Sequence, residues 1–180
     1  MEGHRKLFIV ALLLLAALVV PLGCEKGPTA PNGLSLSTVE GYQNWPLISI
    51  SYRRDLQELH IILGNTTALE DFLNGIPDNG HPFTDGAILV RLIYSVQANP
   101  YFGKDLEPGD FKGLDFMVKD AERFKTTRGW GYASFAYDGK KKAFKPFSTD
   151  ALSLEKCVEC HRLVEKRDYV FTSYTPTSFR

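Results

Sequence analysis

Gly86-Ala87-Ile88-Leu89-Val90-Arg91-Leu92-Ile93-Tyr94-Ser95-Val96 is a continuous apolar run rich in β-branched residues, and it reads as a central strand. Upstream, residues 57–64 alternate, with Leu59, Ile61 and Leu63 on one side and His60 turned away from them. Between the two strands, Thr67-Ala68-Leu69-Glu70 matches a helix capping box. Leu69, Phe72 and Leu73 supply an apolar helical face that Gly75 can terminate. Downstream, residues 97–111 carry Pro100, Gly103, Pro108 and Gly109 and read as a long loop. Leu114, Phe116 and Val118 alternate again, residues 130–137 form an aromatic strand, and Asp138-Gly139 offers a tight hairpin turn. Residues 153–166 read as a helix and residues 168–174 as a last strand. The pattern predicts an α+β fold, mainly an antiparallel sheet with a few packed helices.

The late helix carries Cys157-Val158-Glu159-Cys160-His161, a C-x-x-C-H motif. That pattern attaches haem covalently: each thiol adds to a porphyrin vinyl group and the histidine ligates the iron. Residues three and four apart share a helix face, so one macrocycle could meet all three side chains. A thioredoxin-like pair would want a β-α-β setting and leaves the histidine idle. A closed zinc site needs four ligands, and the other histidines are distant in sequence. The expected cofactor is therefore one haem c, held by Cys157 and Cys160 with His161 as the axial iron ligand.

The other end of the chain suggests export. His4, Arg5 and Lys6 precede an apolar run over residues 8–20, too short for an ordinary membrane span and suited to a signal peptide. Gly23-Cys24 resembles a lipoprotein cleavage site, with Pro21 where that pattern usually has leucine. Ordinary cleavage near Cys24 or Ala30 is the alternative, and it would strand an odd thiol. The expected organisation is a signal peptide over 1–23, a flexible Gly/Pro/Ser/Thr-rich tether over 24–43 starting at a lipidated Cys24, and one haem domain over 44–180. The expected location is the bacterial periplasm, tied to the membrane by lipid. Lys plus Arg and Asp plus Glu both number 21, so nothing points to nucleic acid or an anionic surface.

A second axial ligand is hard to find. No methionine follows His161, and Met117 faces opposite to Leu114, Phe116 and Val118. His60 reads as a surface or hydrogen-bonded residue, and His81 as solvated in the turn Asp78-Asn79-Gly80-His81-Pro82. The expectation is an iron with one protein ligand and an open side for a small gas or substrate.

Trp45, residues 59–75, Phe83-Thr84-Asp85-Gly86-Ala87, Met117-Val118-Lys119-Asp120, Arg123-Phe124, Gly129-Trp130-Gly131-Tyr132, the C-x-x-C-H motif and Asp168-Tyr169-Val170-Phe171-Thr172 occur in this order. Together they resemble the cytochrome P-460 and cytochrome c′-beta group. The resemblance implies a β-rich, periplasmic, often homodimeric protein with five-coordinate haem. Members of that group either oxidise hydroxylamine with nitric oxide or bind nitric oxide and related gases. The oxidising members cross-link a lysine to the porphyrin; the corresponding residue here is Arg91, whose guanidinium stays charged and is a poor nucleophile. The resemblance thus favours binding of nitric oxide or handling of reactive nitrogen species. Hydroxylamine or peroxidase-like oxidoreductase activity and plain electron transfer to a periplasmic redox partner stay open.

Arg91 could pair with a haem propionate, donate to a distal ligand, or sit in a structural ion pair. Asp85 or Glu58 could carry a distal proton, against a plain surface role. Phe72 and Phe83 could cap a distal pocket or simply be core. Asp168 could accept from the free nitrogen of His161, cap a helix or form a salt bridge. Lys140, Lys141, Lys142 and Lys145 form a basic tip, solvated by default and a docking site for an acidic partner in the alternative.

Overall fold

A computed structural model describes residues 27–150 and 152–176. The signal segment and Cys24 lie outside the described residues. Among the described residues, no helix is long and apolar enough to cross a membrane.

Six strands form one antiparallel sheet in sequence order: β1 Leu47–Arg53, β2 Glu58–Gly64, β3 Ile88–Ala98, β4 Leu106–Lys119, β5 Trp130–Asp138 and β6 Ala143–Pro146. Helix α1, Thr66–Leu73, joins β2 to β3, and α2, Leu152–His161, follows β6. The mainly antiparallel α+β expectation holds, with β3 in the interior of the sheet.

Alternation along β3 and its neighbours builds two cores. Leu89 opposes Met117, and Met117 opposes Tyr132, so these side chains share one face. They pack with Ile62, Phe72, Phe83, Trp130, Tyr169 and Val170, and Cys157 and Val158 of α2 lie against them. On the opposite face Val90, Leu114, Phe116, Ala133 and Phe135 form the second core. Met117 therefore faces away from Leu114 and Phe116, as the alternation predicts, but into a core and not into solvent.

The second core corrects the tether expected over 24–43, as far as its described residues, 27–43, go. Ala30, Leu34 and Val39 are buried in it. The segment turns back on itself, with the Ala30 amide donating to Leu34 O at 2.7 Å. Asn32 Nδ2 then donates to Tyr132 O at 2.8 Å. Gly33 and Gly41 take left-handed backbone in this segment, and Leu36 and Tyr42 pack on the core beside the three buried residues.

Three further expectations change. The capping box gives way to Asn65, whose side chain accepts from Ala68 N at 3.0 Å and Ile88 N at 3.0 Å and donates to Gly86 O at 2.8 Å. One side chain thus caps α1 and ties it to β3. The loop over 97–111 shortens, because β4 runs through Pro108 and Gly109 by an irregular register against β3. Ser95 Oγ accepts from Asp110 N at 2.8 Å there, replacing a ladder bond.

The expected strand over 168–174 is absent. Arg167 satisfies the carbonyls of that stretch, donating to Val170 O at 3.2 Å and Thr172 O at 3.1 Å. The tail then crosses to β1, where Thr175 N donates to Ile48 O at 2.8 Å.

Candidate haem site

The end of α2 sets the motif against the sheet. Cys157 is partly buried on the Met117 face, and Cys160, on the neighbouring turn, is exposed. No disulfide joins them. Burial, then the nearby Asp115 carboxylate, push the Cys157 thiol above its usual range.

His161 ends the helix with its ring between Tyr132 and Phe171, whose centroids lie 4.9 and 5.1 Å away. Its Nδ1 is 2.6 Å from Tyr169 O. A carbonyl can only accept, so Nδ1 carries the proton and Nε2 presents a lone pair. Burial also lowers the pKa of His161, overriding the opposing effect of that hydrogen bond. The ring is therefore a neutral imidazole with an oriented Nε2, the state that binds a metal.

The carbonyl partner comes from a tight turn. Asp168 and Tyr169 both adopt left-handed backbone, with φ of 45° and 65°. The Asp168 carboxylate accepts from Phe83 N at 2.8 Å and from Lys119 Nζ at 2.8 Å, and Asp168 O accepts from Trp130 Nε1 at 2.8 Å. Of the roles open to Asp168, the salt bridge is the one found, with Lys119. The neighbouring main chain, not its carboxylate, holds His161.

Arg91 lies on the motif face, in register with Ile62 and Asp115. Its guanidinium is paired with Asp115 through Nε, at 3.0 Å, and Nη2. Ser134 Oγ donates to the other Asp115 oxygen at 2.5 Å. The charges of Arg91 and Asp115 both reach His161 and Cys157.

The sequence model of the family described as Cytochrome P460 matches residues 39–172. The chain belongs to this family. It is a haem-binding cytochrome, with the mainly antiparallel fold just described. No curated protein matches the chain.

The residues of this cytochrome fit the group. Tyr132 Oη is buried without a hydrogen-bond partner among the described residues, and burial followed by the nearby Cys157 raises its pKa. An orphaned hydroxyl on the motif face, near the Cys157 thiol and on a ring packed against His161, fits a site built around a bound group. Among the described residues, no group of three His, Cys, Asp or Glu side chains is placed to hold a bare metal ion.

Of the other candidates, His60 shares the motif face with Ile62 and Arg91, and Phe72 and Phe83 belong to the core on which Cys157 packs. Asp85 is exposed, and its Oδ1 accepts from Ala121 N at 2.9 Å; it fixes a loop and does not join the motif. His60 is buried, correcting the surface alternative, with Nε2 3.2 Å from Glu58 Oε2. Glu58 also accepts from Lys112 Nζ at 3.1 Å, so it is not a plain surface carboxylate. Phe72 and Phe83 pack edge to face at 5.1 Å within the core. His81 and the basic tip, Lys140 to Lys142 with Lys145, are exposed.

Sequence reasoning missed Asp115, Lys119, Ser134, Tyr132 and the Tyr169 carbonyl. The signal for two of them was available: in the alternation that buries Leu114, Phe116 and Val118, Asp115 and Lys119 must share the Met117 side.

Proposed function

We propose that this is a periplasmic monohaem c-type cytochrome, anchored through a lipid on Cys24, that binds nitric oxide or a related nitrogen species. Its haem is attached through Cys157 and Cys160 and ligated by His161, and the sixth position is open. The observation that carries this reading is the neutral His161 imidazole, its Nδ1 held by Tyr169 O, on the helix face that also carries both cysteines. When bound, the haem supplies an iron centre for a diatomic ligand and for one-electron change.

The protein groups have separable tasks. Cys157 and Cys160 fix the macrocycle, and Tyr132 and Phe171 restrict rotation of the His161 ring. His60 is committed to Glu58, and Met117 is buried as the cross-strand neighbour of Tyr132, which supports an open sixth position. Two basic residues on the face argue against a lysine-type cross-link. Arg91 is a paired guanidinium. Lys119 donates hydrogen bonds to Asp168 and, at 3.3 Å, to Arg128 O.

Intact-mass and optical analysis of the mature holoprotein tests the proposal. One haem mass, a diacyl lipid on Cys24, a five-coordinate spectrum and saturable nitric oxide binding without turnover are expected. Cys157→Ser with Cys160→Ser should lose the covalent haem. A third porphyrin link with hydroxylamine turnover would establish the oxidase reading instead, and a six-coordinate resting spectrum the electron-transfer one.

A further inference from the structure

The buried pair Lys119–Asp168 is unusual for its position. Its side chains are only 7% and 11% exposed, and Lys119 Nζ reaches both carboxylate oxygens at 2.8 Å. The ammonium also lies 5.0 Å from the centre of the Trp130 ring. A buried ion pair is weak evidence for stability, because desolvating both charges offsets their attraction. Its role is better sought in what it holds still.

What it holds is the turn that faces His161. Two successive non-glycine residues in left-handed backbone, Asp168 and Tyr169, cost free energy and persist only where the surroundings over-determine them. Here five contacts do so. Lys119 and Phe83 N grip the carboxylate, and Trp130 Nε1 grips the Asp168 carbonyl. Asp168 N and Tyr169 N donate to Glu165 O and Val164 O, each at 3.1 Å. The next carbonyl along, Tyr169 O, is the acceptor of His161 Nδ1. The grips come from β4, β5 and the segment before β3, so the sheet clamps the turn and the turn aims the carbonyl.

We infer that Lys119 and Asp168 are positioning residues for the axial ligand: their ion pair locks the 168–169 turn so that Tyr169 O sets the orientation and basicity of the His161 imidazole. This rests on the proposed ligation of haem by His161. A strong hydrogen bond at Nδ1 gives Nε2 more imidazolate character, strengthens its bond to iron and favours the ferric state. Loosening the turn should weaken all three effects while leaving the covalent attachment intact.

The experiment uses the wild-type holoprotein and the variants Asp168→Asn, Lys119→Met and Lys119→Arg. Asparagine tolerates left-handed backbone and still accepts from Phe83 N, so Asp168→Asn keeps the test valid if Lys119→Met does not fold. Lys112→Met, which breaks the pair with Glu58, is the control. The readouts are the iron–histidine stretching frequency in the reduced protein and the reduction potential. In Asp168→Asn and Lys119→Met the frequency should fall and the potential should rise. Lys119→Arg should restore part of both, and Lys112→Met should leave both at wild type. Folded Asp168→Asn holoprotein with wild-type frequency and potential would overturn the inference. A wild type that shows no iron–histidine band would overturn the haem-ligand reading itself, so the two failures are distinguishable.

Discussion

Replacing Trp130 by phenylalanine separates the clamp from generic packing. Trp130 is completely buried, donates from Nε1 to Asp168 O at 2.8 Å and packs on Phe83 with centroids 5.6 Å apart. Trimming indole to phenyl leaves a void costing about 1 kcal/mol. It also strips the donor from a buried carbonyl, at about 1–3 kcal/mol. Much of the attraction between Lys119 and the ring survives in phenylalanine, so that change adds only about 0.5 kcal/mol. The sum is roughly 2.5–4.5 kcal/mol, a large part of the roughly 5–15 kcal/mol that holds a domain folded. At about 2–4 °C per kcal/mol for a chain of this size, melting should fall by roughly 5–18 °C. Urea unfolding of the holoprotein measures it, with the midpoint lowered and the slope unchanged. Trp45, half-buried against the opposite core, is the comparator, and Trp45→Phe should cost less than about 1 kcal/mol. Equal, small losses in the two variants would refute the reasoning, since the hydrogen bond to Asp168 would then contribute nothing.

Asn65→Ala removes a helix cap and two strand-directed hydrogen bonds together, and should cost about 2–4 kcal/mol in urea unfolding. Gly131→Ala places a Cβ 2.3 Å from the Phe124 ring, which must shift, so about 1–3 kcal/mol of overpacking is expected in the same assay. Burial lowers the pKa of His60 below its ordinary 6.5, against the raising effect of Glu58, so the unfolded chain binds more protons in that range. Stability from this group is complete above about pH 6.5 and is lost as pH falls towards the folded pKa. His60→Gln should therefore flatten the stability profile below pH 6.5, and a profile as steep as wild type would rule His60 out as its source. Glu58 acts at lower pH: burial raises its pKa, but the hydrogen bonds from His60 and Lys112 outweigh that and lower it overall.

What could be read in advance follows from periodicity. The alternations in β2, β4 and β5, and the apolar run of β3, mark strands whatever surrounds them. The motif points to haem by its spacing, and the family match bears out haem binding. Illegible features depend on partners distant in sequence. Nothing local in residues 27–43 tells that Ala30, Leu34 and Val39 will find a sheet face. Residues 168–174 look like a strand because they are β-formers, but Arg167 takes their carbonyls before a neighbouring strand can. The acceptor for His161 is a main-chain oxygen, and side-chain identity cannot announce a backbone group. Asp85 looked chemical by composition alone; an amide at Ala121 already claims it.

The crossing of the C-terminal tail onto β1 has a consequence for the order of events in the cell. Thr175 meets Ile48, so the last described stretch of chain covers an edge of the first strand. Contacts so far apart in sequence form late, because loop closure must precede them. The motif lies between, and the acceptor of His161 comes after it in the chain. A chain that ends before Tyr169 therefore lacks the acceptor that holds the His161 ring. Only the residues after the motif give the His161 ring its acceptor. Cleavage after His161 should leave the motif present but unable to hold its ring.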